Sequence, residues 1–427
     1  MRNVFSVRNF RLVFFGALVS ELGTVLYSFA VSFYILEITA NNAFLQGLYL
    51  ALCGIVLLLF TPIGGVLGDR CNKGAIMSIC DYLKGAIIIL ATVGMSLFRD
   101  NEAHLVILFA AGILGDAVSG VFSPAAGALL PDIVEEDRLQ QANAYYSVKN
   151  SLQSIFGVVL AGVLYASLSI TMLFLIVGIC YVLSGISEMF IRYNYVKPTD
   201  RLSLKIMVSD MGDGLRYLIS KRAMMVLLGA ILFINFFFNP ISGNFMPYFI
   251  KTDLANASSY LFDDLLTPEL WSSVMSMLFG VSSLVTSMVI SARPQAEKCG
   301  RRTAVRIGLM AVVVIAFSLI YWLLVAKGSS IDLFLVLLSL GFVSIGCLLP
   351  MVNIPIGTTM MRVIDKDKLS KVTSITSIIS QGLIPISSVL AGVVLQYMGS
   401  TALLFLCAIG FSATSVFMLS SREVGNI

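Results

Sequence analysis

The feature that most constrains this chain is a series of twelve long apolar stretches. They run roughly over 10–36, 44–67, 75–98, 103–130, 140–168, 170–192, 223–250, 270–293, 303–326, 332–360, 371–398 and 400–420. A helix needs about 20 apolar residues to cross a hydrocarbon core of ~30 Å at ~1.5 Å per residue. Each stretch meets that length, so the sequence predicts an all-α integral membrane protein with twelve transmembrane helices. The first stretch carries Glu21 and lacks a small-residue cleavage site, so it reads as a span and not as a cleaved signal.

Composition removes the competing classes. Apolar residues make up 58% and charged residues 12%, with a mean hydropathy of +0.93; soluble domains average about 45–50% and about 25%. That excludes a soluble enzyme, a disordered chain and a nucleic-acid binder. A net charge of +4 is too mild to mark an anionic partner. The sole histidine is His104, and the seven cysteines are scattered with no C-x-x-C. The sequence therefore predicts no metal, no cofactor and no disulfide framework.

The basic residues set the orientation. Twelve spans leave loops alternating between two sides, and 23 of the 28 Lys and Arg fall on one of them. The other side holds only Arg99, Lys251 and Lys327, while Lys84 and Lys149 lie inside spans. Positive loops stay in the cytoplasm, which predicts a multi-pass protein of the inner or plasma membrane with both termini cytoplasmic. The segment 193–222 is a charged cytoplasmic linker, in which Leu204 to Ile219 reads as an amphipathic helix. It divides the chain into an N-terminal six-helix bundle, 1–192, and a C-terminal one, 223–427.

The two halves read as a repeat. Asp69-Arg70-Cys71-Asn72-Lys73 after span two matches Glu297-Lys298-Cys299-Gly300-Arg301 after span eight, 228 positions on. Val159-Leu160-Ala161-Gly162-Val163 is identical to Val389-Leu390-Ala391-Gly392-Val393, at an offset of 230. A parallel duplication of six spans places a substrate site near the midplane between the halves.

These features resemble the major facilitator superfamily, whose signature loop between spans two and three here reads Gly65-Val66-Leu67-Gly68-Asp69-Arg70-Cys71-Asn72-Lys73-Gly74. Asn72 and Gly74 depart from the usual glycine and base. Pro124, Pro131-Asp132-Ile133-Val134, Leu139, Ala142-Asn143-Ala144 and Asn353-x-Pro355 resemble the branch holding macrolide-efflux and enterobactin-exporter proteins. That branch's glycine–proline pair late in span five is absent, since Val158 follows Gly157. The resemblance implies proton-coupled export of an amphipathic, drug- or siderophore-like molecule by alternating access, from a monomer. Its partners would be the substrate, protons and the lipid bilayer. A lysophospholipid or lipid-linked substrate is the alternative, favoured by a basic spot for a head group at Lys149. The resemblance also implies a cytoplasmic gate at Gly65, Asp69, Arg70 and Lys73, with Glu297 and Arg301 in the second half.

Charges deep in spans cost about 2.5–3.5 kcal/mol each on insertion scales and are functional candidates by default. Glu21, Asp116 and Lys149 all fall near mid-membrane and are the proton-coupling candidates. Depth alone would let Lys149 reach Asp116, pairing spans four and five. Asp81 with Lys84, and Glu188 with Arg192, read as local pairs at helical spacing with a structural role; His104 reads as an incidental surface residue. In span seven, Asn235, Phe238, Asn239 and Asn244 lie among Pro240, Gly243 and Pro247, and are candidates for lining a substrate cavity. Asn353 and Gln381 are the polar candidates of spans ten and eleven.

Overall fold

The computed structural model describes residues 4–135, 138–193, 195, 216, 218–291, 300–325, 330–363, 376 and 378–421. The Asp69 side chain, Glu297 and most of the expected surface helix in the linker lie outside the described residues. Among the described residues the chain is helical, with no strand. The helices are α1 Arg8–Ile38, α2 Ala43–Arg70, α3 Lys73–Leu97, α4 Asn101–Ile133 and α6 Ile170–Met189. Between α4 and α6, α5 runs Leu139–Leu152, a π-helical turn Gln153–Gly157, and Val158–Ser167. The longer α7 runs Arg222–Asn239, a π turn Pro240–Phe245, Met246–Phe249, and a second π turn Ile250–Leu254. Then come α8 Pro268–Ser291, α9 Gly300–Leu324 and α10 Ile331–Val363.

Eleven helices among the described residues are long and apolar enough to cross a membrane, and the last, Ile378–Ser420, has 43 residues. At ~1.5 Å per residue that is about 65 Å, twice the hydrocarbon core. Gly399, at φ 82° and ψ 174°, breaks it, in a conformation open to a residue without Cβ. The arms 384–398 and 400–420 are α11 and α12, so the chain forms the twelve apolar helices that hydropathy predicts.

Short polar caps start several helices where the apolar runs begin. The Asn72, Asp100 and Ser169 side chains accept from the backbone N–H of Ala75, Ala103 and Met172, satisfying donors that a helix start leaves open. The helix flanks are apolar and uncovered: Leu90 is 70% exposed, Val106 69% and Ile409 68%. Flanks of this kind are what lipid covers in a multi-pass membrane protein.

The chain folds as two compact units. One comprises Met1–Ala40 and Leu52–Leu204, the other Asn41–Ala51 and Lys205–Ile427. Near the chain start, the first unit packs Phe10, Val13, Met77, Leu129 and Ile133 into one buried cluster. In the second, Phe245, Phe249, Phe317, Tyr321 and Phe334 meet with ring centroids 5.2–6.3 Å apart. The start of α2 belongs to this unit because it lies directly on α11. A Cβ at Gly47 would come within 2.4 Å of the Ser388 carbonyl and 3.1 Å of the Gly392 Cα. Only glycine lets the two backbones approach so closely. The Ala43 N–H donates to Gln396 Oε1 at 2.9 Å beside this contact.

Candidate functional site

Within the first unit, Lys149 of α5 points at α1. Its Nζ lies 2.6 Å from Glu21 Oε1 and 4.9 Å from the centre of the Tyr146 ring. The lysine side chain is 1% exposed, the glutamate 43%. The pair is thus lopsided: its cation is buried and its anion is reachable. One turn on, Gln153 Nε2 donates to the Leu18 carbonyl at 3.3 Å, holding α5 to α1 at the π turn.

The expected Lys149–Asp116 bridge is not formed. Asp116 interacts instead with the Lys84 ammonium of α3 and the Cys53 thiol of α2. Similar depth pointed to Asp116, but the azimuth of Lys149 on α5 directs it to Glu21 of α1. Asp81 has Lys84 as a charge neighbour, as their spacing implies, whereas Glu188, expected to pair with Arg192, faces the same Lys84. Both acids are buried, and among the described residues their four carboxylate oxygens have no hydrogen-bond partner. Lys84 lies over the Phe122 and Tyr181 rings, 4.9 and 5.3 Å from their centres. His104 is buried, contrary to its reading as a surface residue. Its Nε2 lies 2.8 Å from the Phe98 carbonyl and so carries the proton, which leaves Nδ1 to accept from the Tyr34 hydroxyl at 2.6 Å.

In the second unit, the α7 amides are engaged with α11 and the segment leading into it. Asn235 Nδ2 donates to the Ser380 carbonyl at 3.0 Å, Asn239 Nδ2 to Ser388 Oγ at 2.9 Å, and Asn244 Nδ2 to the Ser388 carbonyl at 3.3 Å. Asn244 is fully buried. Phe238 stacks on Phe279 of α8 at 6.0 Å. Asn353 and Gln381 are exposed. Charged groups pair toward the end of α7: Lys251 Nζ is 3.0 Å from Glu269 Oε1, and Asp253 accepts from the Tyr321 hydroxyl at 3.0 Å. Ser388 and Asp253 were missed in the sequence, because a serine in an apolar run and an acid at a span's end carry no distinctive signal.

At the signature loop, Lys73 Nζ is 2.5 Å from Asp132 Oδ2, tying α3 to α4 through the Pro131-Asp132 motif. The Tyr195 hydroxyl donates to the Arg70 carbonyl. A Cβ at Gly65 would meet nothing within 4 Å, and Arg301 is exposed. Among the described residues, no three His, Cys, Asp or Glu side chains gather where a metal could bind.

An array of apolar helices with acids and two lysines buried in its first unit is the architecture of a membrane carrier. The chain belongs to the Major Facilitator Superfamily, whose family model matches residues 13–388, from α1 into α11. It is 23% identical over 256 residues to the Bacillus subtilis (strain 168) protein YkuC, described as an uncharacterized MFS-type transporter, covering 58% of this chain and 57% of that one. It is 25% identical over 190 residues to YvqJ of the same organism, described likewise, covering 44% of each. The matches thus span about half the length of these curated relatives. Among solved structures, the nucleoside transporter NupG superposes with a TM-score of 0.75 at 11% identity, covering 96% of this chain and 99% of that one. A bacterial homologue of the iron transporter ferroportin gives 0.70 at 16%, covering 98% and 99%. A peptide transporter of the POT family gives 0.74 at 12%, covering 100% and 96%. These likenesses show the fold. The family and the relatives' descriptions are those of transporters and not of enzymes.

Proposed function

We propose that the chain is a secondary active transporter of the cell membrane, with both termini cytoplasmic, exporting an amphipathic drug- or siderophore-like molecule in exchange for protons. The observation that carries this reading is the Glu21–Lys149 pair. Lys149 is buried, and a buried ammonium without a counter-charge costs several kcal/mol. Glu21 is the reachable member, so a proton arriving there removes the counter-charge. α5 must then rearrange, and the π turn Gln153–Gly157 that follows Lys149 is the place where a helix most readily changes register. Protonation is thereby linked to a helix movement, which is what alternating access requires. One charge crossing 100 mV supplies about 2.3 kcal/mol, enough for a substrate gradient of roughly fifty-fold.

The lipid alternative gains no specific support. The Lys149 ammonium that would bind a head-group phosphate is buried and occupied by Glu21. The test is the full chain reconstituted in proteoliposomes with a trapped pH dye. Proton movement is followed after adding a macrolide, a catecholate siderophore or a lysophosphatidylcholine. Movement with one of the first two, lost in Glu21→Gln, is the expected result. Movement with lysolipid alone would replace the export reading by the lipid one. Wild-type proton movement in Glu21→Gln would remove the pair from the mechanism.

A further inference from the structure

The first unit holds a second group of buried charges that the Glu21–Lys149 pair does not use. Asp81 of α3 is 0% exposed and Glu188 of α6 1%. Among the described residues none of their four carboxylate oxygens has a hydrogen-bond partner of good geometry. The Ser184 and Ser20 hydroxyls are within reach of Asp81 but are placed to donate to the Gly16 carbonyl at 2.9 Å and the Ala17 carbonyl at 3.5 Å. The helices are packed too tightly for the carboxylates to be freely hydrated. A Cβ at Gly85 would come within 2.8 Å of Val182, one at Gly178 within 2.7 Å of Ile89, and Glu188 Cγ sits 3.4 Å from the Cβ position of Gly16.

Among the described residues, one cation serves this cluster. Lys84 is 7% exposed and interacts with Asp81, Asp116 and Glu188. The other titratable groups facing the site are Cys80 of α3, Cys180 and Tyr181 of α6, and Tyr146 of α5, which also faces Glu21 of α1. α1 contributes Gly16, Ser20 and Thr24, the last within 2.9 Å of the Tyr181 hydroxyl. Three carboxylates around one ammonium leave two negative charges uncompensated if all are ionised. Buried carboxylates without charge partners or hydrogen bonds neutralise instead of remaining charged. Asp116 is half-buried and has the Cys53 thiol beside it, so it can carry its charge without Lys84, and the one charge then left over falls on the two fully buried acids.

We infer that Asp81 and Glu188 form a proton-binding site, holding one proton between them beside Lys84 at neutral pH. A proton on either acid removes one charge and turns an acceptor-only group into a donor. A metal cation is the poorer occupant, because the Lys84 ammonium already stands among these oxygens and the packing leaves no room for a coordination shell. Any use of this proton in coupling rests on the transport reading above; its presence does not.

The test is infrared spectroscopy of the full-length protein in lipid nanodiscs, reading the stretching band of protonated carboxyls at neutral pH. The wild type is expected to show the band. Asp81→Asn and Glu188→Gln are each expected to lose it, because one fully buried acid then remains for the one Lys84 ammonium and ionises. Lys84→Met is expected to roughly double it. Either single neutralisation that elutes as the wild type in size exclusion suffices for the comparison, and the wild-type spectrum decides the matter should both misfold. A wild type without the band, a band that survives both neutralisations, or one lost when sodium replaces choline would each overturn the site. Since no substrate is added, a failed transport assay leaves this result standing, and a missing band leaves the transport assay standing.

Discussion

The two units share an architecture and differ in how they treat polarity in their interiors. Unit one buries charge: Glu21 with Lys149, and Asp81, Asp116 and Glu188 around Lys84. In unit two, α7 carries neutral amides, with Asn235, Asn239 and Asn244 bonded to Ser380 and Ser388, and its Lys251–Glu269 pair sits at the helix end. Charges in a low-dielectric interior respond to a proton, because adding one changes which partner is satisfied. Amides do not titrate, so the α7–α11 contacts keep their geometry at any pH. On the transport reading proposed above, unit one would sense protons and unit two would hold a fixed frame.

The strongest way to break this contrast is to remove the reachable acid. Glu21→Gln is expected to abolish substrate transport driven by a pH gradient in proteoliposomes while leaving substrate binding within a few-fold of wild type. Uphill transport by that variant would strip unit one of its sensing role. Next is placing charge where the amides are. In Asn244→Asp the donor to the Ser388 carbonyl becomes an acceptor facing an acceptor, fully buried, at a cost of about 2–4 kcal/mol. A fall in melting temperature that is relieved at low pH, where the acid regains a donor, is the expected signature. A pH-independent melt would show that the site tolerates charge.

Gly47→Ala tests the frame sterically. Its new Cβ would sit 2.4 Å from the Ser388 carbonyl, and overpacking of this kind costs about 1–3 kcal/mol. The expected loss in melting temperature should be the same at pH 6 and pH 8, because no titratable group is disturbed. Smallest is Ser388→Ala, which removes the acceptor of Asn239 but leaves the carbonyl that Asn244 uses. About 0.6–1 kcal/mol is expected. The hydroxyl also donates to the Ile384 carbonyl at 3.1 Å within its own helix; a larger effect in thermal melts would mean that this second bond adds to the frame.

The spans were legible because lipid imposes a length and an apolarity that few other constraints mimic. The break at Gly399 was legible too, as the boundary between two apolar stretches. Which buried charges meet was not. Counting residues along a helix gives depth, and depth pointed Lys149 to Asp116. The choice is made by azimuth, which depends on how α5 turns against α1 and on a π turn that hydropathy cannot show. The spacing of three between Asp81 and Lys84 did show that they are neighbours, but not that α6 and α4 bring Glu188 and Asp116 to the same lysine.

The π turn Pro240–Phe245 has a consequence for insertions and deletions. In an unbroken α-helix each residue advances about 100°, so Asn239 and Asn244, five apart, would point about 140° away from each other. The turn's i→i+5 pattern stacks them instead, and both reach Ser388. In effect the turn is one extra residue absorbed into the helix. Deleting a single residue within 240–245 would return this stretch to plain α-helix and leave Asn239 and Asn244 four apart, about 40° from each other on one face. The second unit should therefore tolerate a one-residue deletion inside the turn better than one elsewhere in α7, where nothing absorbs the change and every later side chain rotates by about 100°.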